Sequence, residues 1–276
     1  MSIFGNPVML GGSGGGGGDV PLLTRAEWNA LSTAQKQAYG LLAIQDANSG
    51  FDRGELVYGA DYVPIGVYLP ASNPNDIICE AYTDNFANAE TWGVGAKPII
   101  MQTGLNPTKD TAENAIYLAI AANDKYAYVD LGASKTTYTA YGVLKLVSPG
   151  SYTRLLSSMA ARNAGQGMLV YGSTINVSSW GNDTSTGVSS ANYVAIAMQY
   201  TLGTGAGLAT SAGTYITKSP ANSSQYLTIG RSDLDPSTFN AEPANLYLRY
   251  FAVSDAYETE QQIRTNLANL ESVFIQ

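Results

Sequence analysis

From residue 63 onward, bulky apolar residues alternate with polar ones in short runs, and Gly, Asn, Asp and Pro punctuate the runs. A period of two sends successive side chains to opposite faces of a strand. The pattern predicts strands over 64–68, 77–82, 98–102, 115–121, 126–130, 141–147, 152–158, 167–171, 193–200, 213–217, 226–229 and 246–253. Many short strands with regular turns indicate a sandwich or barrel, and the number here exceeds an immunoglobulin domain and suits two packed sheets. The chain has neither an internal repeat nor the heptads of a fibre shaft.

The last of these strands is bulky on both faces. Leu246, Leu248, Tyr250 and Ala252 fall on one side, Tyr247, Arg249, Phe251 and Val253 on the other, so cover is expected on both. Asp255, with Glu258 three residues on, reads as a capping box. A helix then runs to about Leu270, with Ile263, Leu267, Leu270 and Phe274 along one face.

The N-terminal part is patterned differently. Residues 1–20 form an arm, an apolar tip (Ile3, Phe4, Val8, Met9, Leu10) followed by a glycine tract that reads as a flexible linker. The tract does not leave a strand and lacks a Gly-Lys-Ser/Thr ending, which argues against a phosphate loop. Residues 21–62 form a small module. Thr24 with Glu27 and Ser32 with Gln35 predict two capped helices, the second closed by Gly40. Leu23, Trp28, Leu31 and Tyr39 can cluster, and strands are expected over 41–45 and 54–58. The sandwich occupies 63–276.

Three stretches in the last third resemble the concanavalin A-like jelly roll of the laminin G type: NYVAIAMQY at 192–200, QYLTIGRS at 225–232, and Val253-Ser254-Asp255 with Glu258, Glu260 and Ile263. The Trp and His that usually precede the middle strand are absent. The resemblance implies a mainly β, two-sheet jelly-roll sandwich with a small N-terminal α/β anchoring module and a C-terminal helix. Residues 21–62 resemble an N-terminal module of structural proteins from tailed bacteriophages. That implies a non-enzymatic virion protein, a capsid decoration or head-fibre protein displaying a lectin-like jelly roll. The alternatives are a receptor-binding tail or baseplate protein or a glycan-binding module, and thirdly a divergent glycoside hydrolase. The partners implied are the major capsid protein or tail components, other copies of the chain, and a cell-surface glycan. The setting implied is the virion surface after synthesis in the host cytoplasm, with the arm and Trp28 as the anchor.

Composition narrows these readings. Only 13% of residues are charged, and 22 acidic against 14 basic residues give a net charge of −8. An acidic chain is repelled by phosphate backbones, so nucleic acid is not an expected partner. Histidine is absent, which removes a Ser-His-Asp triad and His-ligated zinc. One cysteine, Cys79, excludes an internal disulfide. No run approaches the ~20 apolar residues of a membrane span, and the first residues lack the basic and apolar regions of a secretory signal. Nineteen tyrosines suit a subunit with extensive protein contacts.

Candidate chemistry is sparse. Glycan-cleaving members of the family place carboxylates in an E-x-D-x-x-E run, which is missing; the nearest groupings are Asp52/Glu55 and Glu258/Glu260. A glycosidase needs two carboxylates across a sugar, so no catalytic residue is assigned. Trp180 lies in SSWGNDTSTG (178–187), a polar loop by composition, beside Asn182 and Asp183. An apolar ring flanked by acceptors is the chemistry of a sugar platform. Trp92 is a second candidate, and the competing reading puts both tryptophans at the core edge or in a subunit interface. The superfamily also implies calcium, for which Asp183 and Asp233 are the donors at hand; no loop has the carboxylate density such a site wants, so no cofactor is assigned and calcium stays the alternative.

Overall fold

A computed structural model describes residues 22–23, 27, 30–32, 35, 41–44, 55–58, 68–73, 76–86, 90–120, 125–132, 135–147, 152–161, 164–179, 182–220, 225–231 and 245–275. The chain divides into two compact units, 1–64 and 65–276. In the first, β2 (Leu41–Ile44) pairs antiparallel with β3 (Glu55–Tyr58), the two strands the sequence predicts, and β1 (Leu22–Leu23) adds to β2 in parallel. The Ser32 capping box is present, with Ser32 N–H donating to Gln35 Oε1 at 2.8 Å and Gln35 N–H to Ser32 Oγ at 3.3 Å. Thr24, Trp28 and the arm with Ile3, Phe4, Val8, Met9 and Leu10 lie outside the described residues.

The second unit holds β4 (Ile77–Tyr82), β5 (Thr91–Trp92), β6 (Ile99–Met101), β7 (Thr108–Asp110), β8 (Ala115–Ala119), β9 (Ala127–Asp130), β10 (Thr137–Leu146) and β11 (Tyr152–Ala161). It continues with β12 (Ala164–Tyr171), β13 (Thr174–Ser179), β14 (Asn182–Ser189), β15 (Val194–Thr201), β16 (Thr204–Ala209), β17 (Ile216–Lys218), β18 (Tyr226–Ile229), β19 (Asn245–Ser254) and a C-terminal helix, Glu260–Phe274. The first sheet runs β17-β16-β15-β10-β19-β8-β7, with β4 also paired to β19; the second runs β14-β13-β12-β11-β18-β9-β6-β5. Every pairing in both sheets is antiparallel. The protein is therefore the mainly β, two-sheet sandwich the sequence predicts. β5, β7, β13, β14 and β16 are not among the predicted strands: β5 and β7 are too short for a period to show, and the Ser, Thr, Gly and Asn of the others read as loop, although in β14 such residues are what an edge strand shows to water. Among the described residues no helix is long and apolar enough to cross a membrane.

The inner faces share one buried cluster, with Leu118, Leu144, Leu248, Phe251 and Val253 from the first sheet and Leu156, Met168, Val170, Val177 and Leu227 from the second. Gln166 makes a polar tie across it, its Nε2 donating to the Gln199 carbonyl at 2.6 Å.

β19 organises the first sheet. It pairs with β10 on one side and, on the other, with β8 through its first half and β4 through its second. Strict alternation puts Leu248 and Tyr250 on one face, and the structure differs. The register runs Leu144↔Leu248 and then Val143↔Tyr250, leaving Arg249 as the extra residue of a β-bulge. Leu246, Leu248, Phe251 and Val253 consequently face the core, while Tyr250 and Ala252 face the C-terminal helix. The expected cover on both sides is present.

The helix packs Ile263, Leu267 and Leu270 onto the outer face of the first sheet, against Tyr141, Val143, Ala195 and Ala197, as its apolar stripe requires. Its cap differs from expectation. Thr259 is the N-cap, exchanging hydrogen bonds with Gln262 at 3.3 and 2.9 Å. Asp255 instead pairs with Lys135 at 2.6 Å, and Glu258 is buried beneath the helix. Two tertiary contacts thus displace a local cap that the spacing alone allowed.

Tyr138, Tyr141, Tyr250 and Cys79 have no exposed surface. Burial pushes all four acids above their ordinary values, and the charges of Glu258 and Glu80 reinforce this at Tyr141 and Tyr250 respectively. An acid whose pKa is raised by folding gives stability that is complete below its unfolded pKa and is lost as pH rises through the folded one. The urea midpoint is therefore expected to fall from about pH 9, where an unfolded thiol ionises, and more steeply above about pH 10 for the phenols. An unchanged midpoint at high pH would contradict the burial of these groups.

Candidate sugar-binding site

The sequence-predicted residues separate. Asn182 and Asp183 open strand β14 and are exposed, rather than lying in a loop. β13 and β14 pair as far as Ser179 and Asn182, either side of Trp180, which is outside the described residues. Trp92 is 1% exposed. Its Nε1–H donates to the Tyr82 carbonyl at 3.0 Å and to Asn85 Oδ1 at 2.9 Å, and Phe86 meets its ring edge-on at 5.8 Å. A ring so enclosed has no face for a sugar.

Asp183 gains partners from strands distant in sequence. Tyr152, at the start of β11, donates its hydroxyl to Asp183 Oδ2 at 2.9 Å. Across the β11–β12 ladder Tyr152 pairs with Tyr171, and their rings meet edge-on at 5.9 Å. Tyr171 is 62% exposed, a large apolar ring open to water. Arg154 lies beneath, 3% exposed, its guanidinium 5.1 Å from the Tyr152 ring centre and Nη2 3.5 Å from the Tyr152 hydroxyl. Gly167 makes room there: a Cβ at this position would stand 2.7 Å from Ser157 Oγ and 3.5 Å from Arg154 Nη1. Close backbone approach is a common reason for glycine within a strand.

Lys218 braces the same edge. It comes from β17, the edge strand of the first sheet, and its ammonium donates to Asn182 Oδ1 at 3.1 Å and Thr184 Oγ1 at 2.6 Å on β14, the edge strand of the second. Burial lowers its pKa while the Asp183 charge opposes that shift. Asn182 is thus held by the fold, while Asp183, Tyr152 and Tyr171 form the surface: a ring to stack on, a fixed carboxylate, and a hydroxyl.

Tyr152 and Tyr171 were not singled out from the sequence. The available trace was that Tyr152 begins one alternating run and Tyr171 ends another, directly before the glycine of a turn.

The carboxylates considered for catalysis do not converge. Glu260 is exposed and pairs with Arg264 at 2.7 Å on the helix surface. Glu258 is buried, accepting from Ser72 Oγ at 2.8 Å, from Asn266 Nδ2 at 2.8 Å and from the Tyr141 hydroxyl. Asp52 is outside the described residues, as is Asp233, the second calcium donor. Among the described residues no three acidic or cysteine side chains gather where an ion could be held.

Comparison with protein-family models finds no match, and comparison with curated proteins finds none either. Solved structures do match. A mutant of Trypanosoma rangeli sialidase displaying trans-sialidase activity is similar with a TM-score of 0.55 at 10% identity, over 74% of this chain and 34% of that one. The T. rangeli sialidase in complex with 2,3-difluorosialic acid gives 0.53 at 10% identity, over 73% and 34%. Another T. rangeli sialidase structure gives 0.51 at 11% identity, over 72% and 33%. The chain thus spans about a third of the length of these sialidases. These likenesses overturn the expectation that the chain is not an enzyme. Proteins named as sialidases carry this architecture, so a missing E-x-D-x-x-E run does not set the chain apart from enzymes. At this identity the likeness shows the fold, a two-sheet jelly-roll sandwich.

Proposed function

We propose that the protein is a glycan-binding β-sandwich whose site is the Tyr171, Tyr152 and Asp183 surface. The observation that carries this reading is the exposed Tyr171 ring packed edge-on against Tyr152, whose hydroxyl orients the Asp183 carboxylate. Sugar sites combine an apolar face with a few placed polar groups. The Asp183 carboxylate is the acceptor that a pyranose hydroxyl would meet. The fold shared with part of the sialidase chains supports a saccharide ligand.

The test is saturation-transfer NMR of the whole chain with lactose, maltose, chitobiose and 3′-sialyllactose. A neutral disaccharide is expected to bind, and Tyr171→Ala to weaken it about tenfold, the loss of roughly 1.4 kcal/mol of stacking, with the unfolding midpoint unchanged because the ring is exposed. Equal binding by the variant would sink the site. Release of sialic acid from 3′-sialyllactose would replace binding by turnover.

The virion setting is part of the same proposal. It is supported by the resemblance of residues 21–62 and by the acidity of the chain, which suits an outward position. In a cryo-electron reconstruction of purified phage particles the sandwich is expected on the capsid or tail surface; its absence from the particle would overturn this setting while leaving sugar binding intact.

A further inference from the structure

The C-terminal helix covers only part of the outer face of the first sheet. Beyond it stand Tyr117 of β8 and Tyr247 of β19, rings 5.3 Å apart and tilted by 48°. Lys145 of β10 bonds Glu113 at 2.8 Å and holds its ammonium 5.4 Å from the centre of the Tyr193 ring and 5.6 Å from that of Tyr247. The Tyr247 hydroxyl donates to Asp110 Oδ2 at 3.2 Å. The Lys145 and Glu113 side chains keep 28% and 29% of their surface exposed, so their remaining hydrogen-bonding positions open to water.

The β-bulge fixes this cluster. Arg249, the extra residue of β19, stacks 3.6 Å from the Tyr193 ring centre and donates through Nε and Nη2 to the Glu113 carbonyl at 3.1 and 2.8 Å. Its Nη1 reaches the Phe274 carbonyl at the helix end at 2.5 Å. One guanidinium therefore locks the turn carrying Glu113, the helix terminus and an aromatic ring. Such preorganisation lowers the ordering cost of binding.

We propose that Tyr117, Tyr247, Lys145, Asp110 and Glu113 form a second platform for a neutral pyranose, which makes the chain bivalent. The inference rests on the glycan-binding reading but on different residues. The tyrosines offer an apolar face, the two carboxylates accept hydroxyl hydrogen bonds, and the ammonium donates one. The backbone N–H of Glu113, together with that of Ala112 and the Tyr247 hydroxyl, holds Asp110 below the usual carboxylate range, and Lys145 does the same for Glu113. With Arg249 counted, two cations balance the two carboxylates, so the cluster offers an anionic sugar no net attraction. The outer faces of the two sheets point away from each other, so the platforms can engage separate glycans, and linked sites gain avidity on multivalent ligands.

The test is titration of lactose, maltose and chitobiose into the whole chain, with lactose-coated beads as the multivalent probe. Two sites per chain and bead agglutination by the monomer are expected. Tyr117→Ser should leave one site and abolish agglutination. Tyr247→Phe, which keeps the ring and loses the Asp110 bond, should weaken the same site severalfold without altering the circular dichroism spectrum. A single wild-type site lost in Tyr171→Ala overturns the second platform and leaves the first. A single site lost in Tyr117→Ser but retained in Tyr171→Ala overturns the first and supports the second. No binding of any of these sugars overturns both.

Discussion

Trp92→Ala is expected to lower stability by about 3–5 kcal/mol, the usual cost of deleting a buried large aromatic side chain. The ring is enclosed between β5 and the turn after β4, and its indole N–H is shared by two acceptors. Truncation leaves a cavity and two acceptors without that donor. The corresponding fall in melting midpoint is on the order of 10 °C for a unit of this size. Thermal unfolding followed by circular dichroism measures it. The alternative of a sugar platform predicts the reverse, an unchanged midpoint with weaker sugar binding, and that result would place Trp92 outside the core.

Glu258→Ala is expected to cost about 3 kcal/mol or more, because three donors, two of them buried, share this carboxyl. Tyr141 and Ser72 donate through hydroxyls and Asn266 through its amide. The Glu258 carbonyl also receives Gln199 Nε2 at 2.6 Å, which fixes the chain just before the helix. Loss of the side chain unpins the helix from the first sheet, so amides of residues 260–274 should exchange hydrogen faster. Glu260→Ala provides the comparison. Its i,i+4 ion pair with Arg264 lies at the surface, and pairs of that kind contribute under about 1 kcal/mol. Helix exchange that responds equally to both substitutions would show that the buried network does not anchor the helix.

The two substitutions mark where local and tertiary information part. At Glu258 the sequence offers a capping box with Asp255, and the structure uses neither residue in that way. A carboxylate three residues after Asp satisfies the spacing, but Lys135, distant in sequence, claims Asp255, and the space between helix and sheet claims Glu258. The next available box, Thr259 with Gln262, then caps the helix. At Trp92 composition could not choose between a polar surface and the core edge, since ETWGVG is compatible with both. Only the docking of β5 against β6 and the turn after β4 decides that the indole faces inward.

The candidate site shows the same division. Asn182 and Asp183 were legible as a polar pair near an aromatic residue. The ring that meets Asp183 is Tyr152, 31 residues earlier in the chain, and Tyr171 joins the surface only through its ladder pairing with Tyr152, so no local pattern unites them.

What the sequence determined by itself was set by short-range rules. Period-two alternation fixed most strands and hence the mainly β class, the apolar stripe Ile263-Leu267-Leu270 fixed the covering face of the helix, and the absence of histidine removed whole reaction classes. Tertiary structure decided the rest. The β-bulge at Arg249 reverses the facing of Tyr250 and Ala252, the pairing of Tyr152 with Tyr171 builds an aromatic surface beside Asp183, and Lys218 joins the edge strands of opposite sheets. Each depends on which strand lies next to which. That is settled by the summed burial of two sheet faces, a long-range quantity that no window of neighbouring residues contains.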